Sequence, residues 1–141
     1  MKNEHWIQGD LTCESPLFRR SFQIDKPINS AYLEICGLGF FHVYVNGTRV
    51  NTEEMIPAFT NYTSIFGHHT TYPVFEERAE FRTGYLTYDL TPYLTQGENV
   101  LGVHLGNGWY HQTRRTAEGD FVFGFPKLNY ELTITQQNGS Q

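Results

Sequence analysis

Apolar side chains return at every second position along most of this chain, the spacing that lines one face of a β-strand. Phe18, Arg20, Phe22 and Ile24 share one side of a strand, and Arg19, Ser21 and Gln23 share the other. Ala31, Leu33 and Ile35 alternate with Tyr32, Glu34 and Cys36. Phe41, Val43 and Val45 alternate with Phe40, His42 and Tyr44, so both faces of that strand are substantially apolar. Leu101, Val103 and Leu105 alternate with Gly102 and His104. Leu128, Tyr130, Leu132 and Ile134 alternate with Asn129, Glu131, Thr133 and Thr135, which is the clearest half-buried strand of the set. No stretch carries a sustained helical stripe, and no internal repeat is visible.

Turn chemistry separates these runs. Asn46-Gly47 after a strand predicts a two-residue hairpin, because both residues tolerate positive φ. Gly37 and Gly39 around Leu38 predict a bend or bulge. Thr91 before Pro92 reads as an N-cap with proline at the first helical position, and Gly97 as the stop, giving one short helical turn over residues 92–96. Short strands joined by turns predict an all-β fold: an antiparallel two-sheet sandwich or jelly roll spanning residues 1–141 as one unit. Residues 57–84 depart from the pattern and read as a long loop with one strand near 79–82. The turn-like Asn138-Gly139-Ser140 near the end suggests that the natural chain continues.

Composition sharpens the picture. Aromatic residues make up 16% of the 141, with thirteen Gly, which favours strands and turns over helices. A formal charge of −5 gives no basic stripe of the kind that nucleic acid requires. Arg19-Arg20 and Arg114-Arg115 read as solvated edges. Cys13 and Cys36 have neither the density of a disulfide scaffold nor zinc-site spacing, and Cys36 ends an apolar strand, which predicts a buried free thiol. The start of the chain lacks the apolar run of a signal peptide and no segment reaches the roughly 20 apolar residues of a membrane span, so the expectation is a cytoplasmic protein with no membrane partner.

Several segments together resemble one family. They are Phe18-Arg19-Arg20-Ser21-Phe22, the run from Gly37 to Gly47, Tyr88-Asp89-Leu90-Thr91 with Gly97-Glu98-Asn99-Val100, and Gly106-Asn107-Gly108-Trp109-Tyr110. In order and approximate spacing they are similar to the N-terminal domain of bacterial α-L-rhamnosidases. The resemblance implies a galactose-binding-like jelly roll that contributes to substrate recognition, with catalysis carried by a separate helical barrel further along the polypeptide, generally inverting the anomeric carbon. The barrel's acidic motif is not among these residues, so none of them inherits a catalytic role.

The candidate chemistry centres on Trp109 and Tyr110, expected at the rim of a rigid scaffold, with the C–H face of a sugar packing on the rings. Asn107, His104, His111, Gln112 and Arg114 are the expected hydrogen-bonding groups. The competing reading buries Trp109 in the core or against a neighbouring domain. Adjacent His68 and His69 on an extended strand point to opposite faces and do not chelate one ion. No cofactor is expected; a calcium site would draw on Asp120, Glu118 and Asn107, although no calcium-loop spacing is present. Glu53, Glu54, Glu76, Glu77, Glu80 and Asp120 lie in polar runs, which argues against a facing pair of catalytic carboxylates. Three readings stand: a module recognising an L-rhamnose-containing glycan, a purely structural domain docking on the catalytic barrel, and a free-standing lectin-like protein.

Overall fold

The computed structural model describes residues 5–60, 62, 83–112 and 123–137. The strand expected near residues 79–82 lies outside them, as do His68 and His69. Among the described residues, eight strands form two antiparallel four-stranded sheets. The first contains β1 (Ile7–Gln8), β8 (Lys127–Gln136), β3 (Ile28–Leu38) and β6 (Leu86–Asp89), in that spatial order. The second runs β2 (Leu17–Ile24), β7 (Gly97–Leu105), β4 (Phe41–Val45) and β5 (Thr48–Arg49). Strands β2, β3, β4, β7 and β8 are those the alternation predicts. The two-residue β1 and the short β6 are additional, because so few residues give alternation nothing to act on.

The register explains why the pattern is so regular. Val43 stands opposite Val103, and Leu33 opposite Leu132, so apolar residues meet across each ladder on the inward side. Ala31, Leu33 and Ile35 then pack against Phe41, Val43, Val45, Leu101, Val103 and Leu105 of the other layer. Each of the larger side chains among them contributes about 1.5–3 kcal/mol on burial. Asn99 has the same parity as Leu101 on β7 and is fully buried, yet it is polar. Its Oδ1 accepts hydrogen bonds from Asn46 Nδ2 and Thr95 N–H, and its Nδ2 donates to the carbonyls of Thr95 and Gly97. Asn46 completes the clamp by accepting the Val100 N–H. The β4–β5 hairpin turns on Asn46 (φ 50°) and Gly47 (φ 84°), as its sequence requires.

The helical turn differs from expectation. It is a 3₁₀ turn of three residues, Thr91–Tyr93, and Thr91 is its first residue instead of its cap. Asp89 takes the Thr91 N–H on its carboxylate, while the Thr91 hydroxyl accepts the Ala31 N–H. The hydroxyl therefore continues the β3–β6 ladder by one hydrogen bond, which competes with capping. Cys36 is a buried free thiol, as expected.

Candidate functional site

Two chain reversals meet at one end of the sandwich: the bend after β3 and the loop leaving β7. They approach so closely that a side chain at Gly39 (φ 127°) would collide with the Gly106 carbonyl oxygen, and one at Gly108 (φ 50°) would sit 2.7 Å from the Phe40 nitrogen. Gly106 N–H donates to the Phe40 carbonyl at 2.8 Å, fastening the two together. Only glycine satisfies both the left-handed φ and the contact. This contact fixes where the next two aromatic residues go.

Trp109 emerges at 45% exposure, with its indole edge-on to Phe40 at a centroid distance of 5.9 Å. Tyr110 turns the other way. At 8% exposure it belongs to an inner cluster with Leu38 and Phe123, against which Tyr62 packs. Its ring meets Tyr62 edge-on at 5.1 Å, and burial beside Tyr62 raises its phenol pKa. The expected outward pair is therefore corrected to an outward indole and an inward phenol. Successive residues after the Gly108 reversal point to opposite sides, and the apolar pocket claims the second.

The remaining sequence candidates divide by role. The Asn107 backbone carbonyl accepts the N–H groups of Tyr110 and His111, making it a turn former. His111 Nδ1–H donates to the Gly124 carbonyl at 2.8 Å, and its ring stacks on Phe125 at 5.1 Å, pinning the loop to the segment before β8. His104 faces outward on β7, directly across from His42 on β4, with ring centroids 6.5 Å apart. Its Nε2 is hydrogen-bonded to Ser15 Oγ at 2.6 Å. Arg114 lies outside the described residues, as do Glu118 and Asp120.

Sequence reading missed Phe40, His42 and Ser15 as site residues. His42 Nε2–H donates to Glu54 Oε2 at 2.9 Å, and Arg49 Nη2 donates to Glu54 Oε1 at 2.8 Å. These two hydrogen bonds, Arg49 first, hold the Glu54 carboxyl below the usual carboxylate range. The signal for His42 was present, since its alternate position on β4 marks an outward face shared with His104. Only the strand pairing shows that they are neighbours. Glu53 and Glu54 sit on one exposed connection after β5. No group of three or more metal-ligating His, Cys, Asp or Glu side chains occurs among the described residues.

A family model for the alpha-L-rhamnosidase N-terminal domain matches residues 26–80 and 73–141. An alpha-L-rhamnosidase of Formosa agariphila is 29% identical over 129 residues, which is 88% of this chain and 12% of that relative. Among solved structures, native α-L-rhamnosidase from Aspergillus terreus superposes with a TM-score of 0.73 at 30% identity, covering 94% of this chain and 14% of that one. The Streptomyces avermitilis α-L-rhamnosidase, complexed with L-rhamnose, gives 0.69 at 26% identity over 90% of this chain and 11% of that one. The chain thus spans a small fraction of the length of the relatives it matches. With the sheet order, the glycine-locked bend and these matches in agreement, the chain belongs to the alpha-L-rhamnosidase N-terminal domain family.

Proposed function

We propose that this chain is the accessory N-terminal part of an α-L-rhamnosidase-like glycoside hydrolase, and that it helps recognise an L-rhamnose-containing glycan while another part of the parent polypeptide performs the hydrolysis. The observation that carries the reading is Trp109, an indole left 45% exposed on a backbone that the glycine contacts make rigid. A ring presented in this way loses little entropy on binding, and its face suits the C–H surface of a sugar.

Trp6 is the only other tryptophan, so fluorescence of a Trp6→Phe variant reports on Trp109 alone. Titrating that variant with L-rhamnose is expected to give a saturable change in the millimolar range, corresponding to about 4 kcal/mol. The additional change Trp109→Ala should abolish the response. A flat titration in the Trp6→Phe chain would overturn sugar recognition at this ring.

A docking role has its own support. Phe59 (47% exposed) and Phe125 (40% exposed) flank the same end, Phe59 lining a dent with Trp109 and Phe125 stacking on His111. Such a patch suits a neighbouring protein surface. In that case Trp109 fluorescence responds to the separately expressed remainder of the parent polypeptide and not to free sugar.

A further inference from the structure

On the outer face of the second sheet, beside Trp109, lies a cavity of about 140 Å³ lined by Ser15, Phe40, Phe41, His42, His104 and Gly106. Phe40 also lines the dent that holds Trp109, so one residue separates the two concavities. We propose that this cavity is a second subsite, taking one neutral pyranose ring of the glycan whose neighbouring unit packs on Trp109. The proposal rests on the carbohydrate reading above and adds a site to it.

Size is the first argument. An enclosed apolar cavity of about 150 Å³ takes up a single six-membered ring such as benzene, and this hollow, open to solvent on one side, has about that volume. Chemistry is the second. The lining joins the Phe40 ring to two imidazoles and a hydroxyl, while Phe41 closes its floor from the core side, so it offers both a surface for C–H groups and partners for hydroxyls. Orientation is the third. Ser15 Oγ fixes one imidazole through His104 Nε2. Glu54, itself held by Arg49, fixes the other through His42 Nε2. Because a carboxylate accepts only from an N–H, His42 presents its Nε2 hydrogen to Glu54. The pair is thus set before any ligand arrives.

Other ligands fit less well. An anion would meet the Glu54 carboxylate, whose Oε2 lies 2.9 Å from His42 Nε2. A metal cation would have to displace hydrogen bonds at both Nε2 atoms and compete with Arg49 for the Glu54 carboxylate. A neutral ring requires neither change.

The test uses this chain with selectively labelled histidine and tryptophan, titrated with methyl α-L-rhamnopyranoside and followed by NMR. The His42 and His104 side-chain resonances are expected to shift saturably. Ser15→Ala and His104→Phe should each weaken that binding about 3- to 10-fold, the scale of one hydrogen bond. Ser15 is exposed, so its alanine variant keeps the fold even if the His104 variant does not. An indole response without any imidazole response would overturn the subsite and leave the Trp109 platform standing. Imidazole shifts without an indole response would support the subsite and remove the platform. Silence from both would overturn both, and unchanged affinity in Ser15→Ala and His104→Phe would overturn the subsite.

Discussion

At the scale of single residues, the sharpest contrast is between the two cysteines. Cys36 sits on β3 with 2% exposure, and burial pushes its thiol up to about 11. Cys13 is exposed near the start of the chain. Since the thiolate is the reactive form, a thiol reagent at pH 8 should modify Cys13 within minutes and leave Cys36 intact until the protein unfolds. Mass spectrometry after a short pulse reads the difference, and early labelling of Cys36 would contradict the packing described for β3. Burial of Cys36 was legible from its place at the end of an apolar strand. The opposite fates of Trp109 and Tyr110 were not, because two adjacent aromatics after Gly-Asn-Gly look equivalent until the Gly39–Gly106 contact sets the direction of the loop.

At the scale of elements, the Asn46–Asn99 clamp ties the β4–β5 hairpin to the start of β7 and to Thr95 just before it. The sequence segments that carry the family resemblance, Gly37 to Gly47 and Gly97 to Val100, are thereby brought into direct contact. Asn99→Ala should cost about 1–3 kcal/mol, because it empties a fully buried position and removes the hydrogen bonds that Asn99 makes to Asn46, Thr95 and Gly97. Asn99→Asp should lose at least as much, since it keeps the acceptor toward Asn46 and Thr95 but sets a buried carboxylate oxygen against the Thr95 and Gly97 carbonyls. Urea unfolding midpoints for the two variants test the order, and a clearly smaller loss in Asn99→Asp would show that the acceptor bonds, not the donor bonds, carry the clamp. The hairpin itself was readable in Asn46-Gly47. The role of Asn99 was hidden, because an asparagine beside a strand start reads as a loop residue until its parity with Leu101 is seen.

At the scale of the whole molecule, the two layers are closed in the middle and open at one side. There β2 and β8 leave a groove of about 260 Å³ between Arg20, Phe22, Leu101, Tyr130 and Leu132. Arg20 has the same parity as Phe18 and Phe22, so a charge occupies a core-side position on an edge strand. Placing a charge there discourages another chain from adding to the edge. Arg20→Val should therefore raise self-association with concentration while leaving thermal stability nearly unchanged, which light scattering across a dilution series checks. Alternation, with the turn signals between the runs, determined that the chain forms a two-layer β-sandwich and which apolar strand residues line its interior, because a period of two commits each side chain to one face. The pairing of β4 with β7, the joining of His42 to His104 and Ser15, and the choice of Trp109 over Tyr110 as the outward ring were decided only by the tertiary structure. Those outcomes depend on which strands become neighbours and where two loops collide, and both are long-range contacts that no local pattern encodes.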